Sequence, residues 1–430
     1  MRIVVIGAYG LLGSYIVSRL LANGHDLVGV GRDIVRARRQ FPRMAWVRAD
    51  LRSATVAQWA GVLAQADAVV NCAGALQDSP RDDLQAVHVT GVERLAEACQ
   101  AAGIRRFVQV SAAGVRAGRD TAFNDTKLAA ETVLQASTLD WVILRPGLVL
   151  APAAYGGTAL LRGLAAFPFV LPVANADSIV QVVSATDVAA AVEQILRDPG
   201  VNRVSIDLLH AETWRFRDLA VELRRWLGLE PAPVLAIPAW LVGAVASAAD
   251  GLAYLGWRSP MRSTALAQLH RGIEGDAEAA PRLLGLTLRS LRQMLDDWPS
   301  GVQERWFAKA YFVKPALLFG LCAFWLLSGV IGLVSRAEAV ATLTIVGVPA
   351  PLAQLAVIAG ALVDIALATS VAFRRSAGRG LLGMVLVSAF YLVCGSVVRP
   401  DLWLDPLGPF LKVVPAALAA LAALALLDER

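Results

Sequence analysis

Over its first third the chain alternates short apolar runs with longer stretches whose apolar positions recur every three or four residues. Ile3 to Ile6 is the first run, and Leu11, Leu12, Ile16 and Leu20 then share one face of a helix. Further runs follow at Leu27 to Val30, Ala45 to Arg48, Ala68 to Asn71, Arg106 to Val110 and Trp141 to Leu144. Helical patterns separate them, among them one from Thr55, one over Leu84 to Ala102 and one over Asp125 to Ala136. Six strand patterns with intervening helices predict a parallel, doubly wound α/β sheet. From Ala151 to about Ser300 the alternation loosens.

Beyond Tyr311 the pattern changes to four long apolar runs: Phe312 to Val334, Leu352 to Phe373, Leu381 to Val398 and Phe410 to Leu427. Each is close to the roughly 20 residues that a bilayer-spanning helix requires. Trp306, Tyr311, Phe312 and Trp403 sit at their boundaries, where interfacial aromatics belong. With the α/β part inside, Arg305, Lys309, Lys314, Arg374, Arg375, Arg379 and Arg430 lie on the inner side, against Arg336, Arg399 and Lys412 outside. That bias puts both ends of the chain in the cytoplasm, at an inner membrane. No secretory signal is expected, because the first apolar run is a short strand ending at a glycine turn. Asp364 stands alone in the second span. It is either a functional carboxyl or a protonated one that hydrogen-bonds Ser328 or Tyr391 to hold helices together.

Two segments between these regions carry open alternatives. Ala159 to Ala174 is strongly apolar and either packs under a lobe or forms a greasy entrance. Ala236 to Ala249, with Trp240 and closed by Asp250, is too short to span and is either a buried or an interfacial helix. Arg215 to Leu227 is an amphipathic helix, with Phe216, Leu219, Ala220, Leu223, Trp226 and Leu227 on its core face. Thr186 or Asp187 is expected to cap the helix after Val182 and Val183.

Composition agrees with a membrane protein: of 430 residues, 57% are hydrophobic and only 17% charged. The net charge of +5 suits an anionic membrane surface. Nucleic acid is not expected as a partner, since no basic run is interleaved with aromatics. Cys72, Cys99, Cys322 and Cys394 are scattered without a CxxC pair, which suggests reduced thiols. His25, His88, His210 and His270 are equally dispersed, and no metal site is indicated.

The candidate chemistry begins at Gly7-Ala8-Tyr9-Gly10-Leu11-Leu12-Gly13. A strand, a glycine turn and a helix in this order suit a nucleotide pyrophosphate: one glycine for the turn, one that leaves backbone N–H groups open, one where helix meets strand. Arg32, at the end of the second strand pattern and followed by Arg36, Arg38 and Arg39, favours the 2′-phosphate of NADP(H), while NAD(H) stays open. Asp33 comes too late for the ribose role of NAD sites. Asp50-Leu51 and Ala73-Gly74 end strands on the same sheet edge and can line the adenine and ribose side, or serve as simple turns. The last strand ends at Arg145-Pro146-Gly147.

GAYGLLG, NCAGA, FVQVSAAG, FNDTKLAAE and LRPG, taken in order, resemble an atypical, extended short-chain dehydrogenase/reductase, akin to the nucleotide-binding accessory subunit of respiratory complex I. The resemblance covers about residues 1 to 300. It implies a Rossmann domain over residues 1–150 and a smaller substrate lobe over 151–300. It also implies a catalytic serine, tyrosine and lysine, of which Ser111 and Lys127 match while Phe123 occupies the tyrosine position. Without a phenol there, the usual proton relay is broken. Lys127 is the only lysine before Lys309 in a chain with 36 arginines and four lysines, and the family binds the nicotinamide ribose with this lysine. His88 stands where many relatives have asparagine, and no role is assigned to it. After a linker over 301–311, residues 312–427, with FWLLSGVIGL in the first span, resemble the DoxX-like membrane family, an all-α bundle of four helices. The expected protein is a membrane-anchored NAD(P)H-binding reductase for a quinone or other lipophilic acceptor. The alternative is a non-catalytic nucleotide-binding assembly or sensor subunit of a membrane redox complex. An epimerase or dehydratase is weaker, since those reactions lean on the missing tyrosine.

Overall fold

The computed structural model describes residues 1–79, 82–118, 121–257 and 259–428; Arg430, counted above among the inner cations, lies outside them. The chain divides into two units, Met1–Asp250 with Ser259–Ala308, and Gly251–Arg258 with Lys309–Arg430.

Twelve strands occur among the described residues of the first unit: β1 (Arg2–Ile6), β2 (Asp26–Gly31), β3 (Ala45–Arg48), β4 (Ala68–Asn71), β5 (Arg106–Val110), β6 (Asp140–Pro146), β7 (Leu148–Leu150), β8 (Leu171–Val173), β9 (Ile179–Ser184), β10 (Val204–Leu208), β11 (Thr213–Arg215) and β12 (Val234–Ala236). Seven form one sheet in the order β10-β6-β5-β4-β1-β2-β3, with every pairing parallel. Chain order reverses between β1 and β4, and ligands of such sheets bind outside the carboxyl ends of the strands at that point. Burial explains the apolar runs. Ile3 and Val5 point into one core with the helices Leu11–Ala22 and Ala185–Arg197, and Val4 and Ile6 into the other with Val56–Leu63 and Gly91–Ala101. A sheet covered on both faces needs side chains apolar on both.

Six of the seven strands were legible as apolar runs. The seventh, β10, reads VSIDL, and its polar Ser205 and Asp207 are tolerable because it is an edge strand beside β6 alone. The expected continuous helix over Leu84 to Ala102 instead opens with a π-helical turn, Gln85–Thr90, before the α-helix Gly91–Ala101. That turn buries His88.

The lobe adds the three-stranded β11-β9-β7 and the two-stranded β12-β8 sheets. Phe216–Trp226 is the amphipathic helix expected, with Phe216, Leu219, Ala220 and Leu223 buried. Neither Thr186 nor Asp187 caps the helix Ala185–Arg197. Ser184 does, accepting from the Thr186 N–H at 3.2 Å, while Asp187 pairs with Arg289 at 2.7 Å. An earlier cap wins because the hydroxyl must precede the first helical N–H groups.

Val302–Val334, which belongs to the second unit from Lys309 onward, and Ala350–Ala372 and Ala377–Val398 within that unit are long and apolar enough to cross a membrane. The fourth apolar helix, Pro409–Ala425, has 17 residues, reaching about 26 Å at the usual rise, near the lower limit for a span. The first begins at Val302 rather than Phe312, since QERWFAKA is itself good helix-forming sequence. A short helix, Arg336–Ile345, fills part of the loop after it. Gly329 lets two helices approach closely: a Cβ there would stand 2.6 Å from the Ala361 carbonyl oxygen.

Candidate nucleotide site

At the switch point the backbone is shaped by absent side chains. Gly7 holds φ +74°, and a Cβ on it would stand 2.9 Å from Ala73 N, so the turns after β1 and β4 can meet only because the position is glycine. A Cβ on Gly13 would lie 2.9 Å from Ala8 Cα, which fixes how closely the helix Leu11–Ala22 joins β1. Gly10 closes the turn with an N–H to Gly7 O at 2.9 Å and caps that helix without a side chain. The helix therefore presents its first backbone N–H groups and positive end with no side-chain acceptor, which is the chemistry a phosphate needs. Leu11 and Leu12 are its half-buried first residues.

Tyr9 leans over the end of β2. Its hydroxyl accepts from Asp33 N at 3.3 Å, its ring stands 6.2 Å from that of Trp46, and a Cβ on Gly31 would collide with it. Arg32 is exposed and forms an ion pair with Asp82 at 2.9 Å. Asp33 is the N-cap of the helix Ile34–Gln40. Asp50 is gripped by Arg52 at 2.6 Å; partial burial alone would raise its pKa, but the Arg52 hydrogen bonds outweigh that and hold the carboxyl below its ordinary range. Leu51 is buried, and the close approach of Gly91 to its carbonyl oxygen explains why.

On the other side of the switch point a buried polar group assembles around Gly74. Lys127, 5% exposed on the helix Ala122–Ala136, donates to Val110 O at 3.1 Å. A Cβ on Gly74 would lie 3.3 Å from Lys127 Nζ and 3.5 Å from His88 Nε2. Burial pushes the Lys127 ammonium down to about 8, with Glu131 resisting. His88 accepts from Ala75 N through Nε2 at 3.1 Å, so the ring proton is on Nδ1 and points to Thr126 Oγ1 at 2.9 Å. Thr126 in turn donates to Ala122 O at 2.7 Å. Burial and the Lys127 charge push His88 down to about 2, so it stays neutral. Phe123 stands edge-on to His88, ring centroids 5.8 Å apart.

Ser111 joins a different group. Its hydroxyl donates to Glu131 Oε1 at 2.5 Å, and the almost wholly buried Glu131 also forms an ion pair with Arg145. Arg145 comes within 4.0 Å of Asp207 on β10. Pro146, buried at the end of β6, accepts from Ala113 N at 2.9 Å, which anchors the Ser111 turn. The polar residues sequence reasoning missed are His88, Thr126, Glu131 and Arg145. Glu131 had a usable signal: four positions after Lys127, it lies on the same helix face. The others are brought in by strand pairing and the π turn.

In the membrane unit Asp364 accepts from Ser328 Oγ at 2.9 Å and from Tyr391 Oη at 3.1 Å, joining all three long helices. Among the described residues no group of three or more His, Cys, Asp or Glu is placed to hold a metal ion.

Residues 7–199 match the model of the NAD(P)H-binding family, and residues 322–421 that of the DoxX-like family. An uncharacterized protein of Mycobacterium tuberculosis is 29% identical over 236 residues, 55% of this chain but 25% of that protein, so the chain spans only a quarter of that relative's length. The mitochondrial NADH-ubiquinone oxidoreductase 40 kDa subunit of Neurospora crassa is 27% identical over 221 residues, 50% of this chain and 57% of that one. The ceramide reductase of Caulobacter vibrioides is 26% identical over 230 residues, 53% of this chain and 71% of that one. Among solved structures, the Bordetella bronchiseptica enzyme WbmG in complex with NAD superposes with a TM-score of 0.55 at 17% identity, covering 72% of this chain and 96% of that one. A likeness at that identity shares the fold. Residues 7–199 are therefore an NAD(P)H-binding domain with the Rossmann-like fold, similar to short-chain dehydrogenase/reductases, and residues 322–421 a DoxX-like membrane domain.

Proposed function

We propose that the protein is a membrane-bound NADP(H)-dependent reductase whose acceptor is a quinone or another lipid-soluble compound. The observation that carries this is a buried, weakly basic Lys127 on the same helix as a phenyl ring at Phe123, where a proton-donating phenol would stand in the resembled family. Gly7, Gly10, Gly13 and the uncapped helix end would hold the pyrophosphate, and Lys127 beside the opening at Gly74 would hold the nicotinamide ribose. Arg32, followed by Arg36, Arg38 and Arg39, supports NADP(H), with the arginine exchanging Asp82 for a 2′-phosphate. A bound reduced nicotinamide supplies a hydride.

What the chain's own residues can do with protons then selects the acceptor. Ser111 is tied to Glu131, and His88 is held neutral with both nitrogens engaged. Lys127 Nζ, lowered to about 8, is the acid that remains. An acceptor that becomes a phenolate-like anion on taking the hydride can wait for a proton from Lys127 or water, whereas an alkoxide demands one in the transition state. The similarity to a ceramide reductase supports a lipid acceptor. The cation bias of the loops supports an N-terminal unit and C-terminus on the cytoplasmic side of an inner membrane.

A second reading has its own support. The same tied-up Ser111 and His88, with the similarity to a complex I subunit, suit a nucleotide-binding assembly or sensor subunit that does not turn over. Full-length protein in lipid nanodiscs separates the two. NADPH and NADH titrations establish binding, and NADPH oxidation is then followed with short-chain quinones and with lipid-soluble carbonyl compounds. Quinone-dependent oxidation lost in Lys127→Met supports the reductase; saturable binding with no oxidation by any acceptor overturns it in favour of the subunit.

A further inference from the structure

The helix Ala239–Tyr254 is turned the wrong way round for water. Its buried residues are the small Ala246, Ala249 and Ala253, at 4 to 7% exposure, while Trp240 is 74% and Tyr254 79% exposed. Leu241 and Leu252 also face outward. No charged residue occurs before Asp250, which is fastened by Arg262 at 3.0 Å. A helix at a water boundary buries its bulky apolar residues and exposes polar ones. Here the bulk is outside, and the environment outside must be apolar for that arrangement to be stable.

The same lobe exposes further bulky apolar residues. β12 exposes Leu235 at 51% and pairs with β8, and two residues ahead of β8 Phe169 is 88% exposed, held outward with φ +68°. Chain continuity identifies the apolar phase. The last turn of the helix and the residues after it belong to the unit of membrane helices: Leu255 O accepts from Arg374 N at 3.0 Å, and Trp257 Nε1 donates to Ala372 O at 2.7 Å. Both bonds lie at the end of the membrane helix Ala350–Ala372, beside the cations Arg374 and Arg375, which suit anionic headgroups.

We propose that this surface docks on the lipid bilayer itself, with Ala239–Tyr254 lying at the boundary of headgroups and acyl chains and Phe169 inserted beside it. Trp240 and Tyr254 occupy the interfacial level such rings favour. The test uses the full chain in nanodiscs. An environment-sensitive fluorophore is attached at Trp240→Cys or Phe169→Cys, with Arg105→Cys as control, in a background lacking the four native cysteines. Lipids carrying a nitroxide near the headgroup should quench the first two about two-fold and leave the control unchanged. Should the cysteine-free background not fold, photolabelling of the unaltered protein by a diazirine phospholipid gives the same information. Label on peptides containing residues 239–254 and 167–170 supports docking. Label confined to the long membrane helices, or shielding of these peptides that grows with the number of protein copies per disc, overturns it.

Discussion

The two sides of the proposed nucleotide site are built on different physics. Around Gly7, Gly10 and Gly13 the site is made of backbone: absent Cβ atoms, a left-handed turn and a helix end without a side-chain cap. Around Gly74 it is made of buried side chains that satisfy one another, with Lys127, His88 and Thr126 in one set and Ser111, Glu131 and Arg145 in another. The first side leaves groups open for a ligand, and the second leaves few. The residues proposed to hold the dinucleotide and those that could move protons are thus separate sets, so one can be kept while the other is tied up.

The strongest attack on the backbone side is Gly7→Val, which forces a β-branched residue to positive φ and into Ala73. At least about 100-fold weaker NAD(P)H binding is expected. Isothermal titration checks it, and unchanged affinity would mean the glycine turn does not hold the ligand. On the side-chain half, Glu131→Leu removes the closest partner of Arg145, leaving Asp207 at 4.0 Å, and should lower stability by about 3 kcal/mol. Ser111→Ala, which leaves the ion pair intact, should cost about 1 kcal/mol; thermal or denaturant unfolding in nanodiscs distinguishes the two.

Lys127 gives a pH signature. Its folded value of about 8 lies below the ordinary 10.5, so below pH 8 both states are protonated and the native state bears the full penalty of a buried cation. Above pH 8 the native state loses its proton first, and stability rises with pH by up to about 3 kcal/mol as 10.5 is approached. Lys127→Met should flatten that rise. In the native protein, nucleotide affinity should fall over the same pH range as the charge is lost. A flat profile in both variants would show that Lys127 titrates normally. The smallest effect is expected from Phe123→Tyr. It adds one hydroxyl beside His88, should change stability by less than about 1 kcal/mol, and restores a phenol four residues before Lys127. New carbonyl reductase activity in this variant would show that the phenol alone is missing; none would place the block also in the Ser111–Glu131 pair.

Periodicity determined much of this protein. Apolar runs with a helical pattern between them require a parallel sheet covered on both faces, and GAYGLLG behind the first run locates its switch point. Four apolar runs of near-span length likewise required a membrane unit, and three proved long enough to cross, the fourth being shorter. Such patterns are legible because each position reports its own burial.

The tertiary structure decided the rest. β10 became a strand only beside β6, and His88 on the π turn met Lys127 only where that turn packs on the helix Ala122–Ala136. The partner of Ser111 came from a helix twenty residues away, and the outward face of Ala239–Tyr254 appeared only once Ala246 and Ala249 were seen packed within. Each of these depends on which residues meet after the chain has folded back on itself. Propensity and spacing describe one segment at a time and carry no record of such meetings.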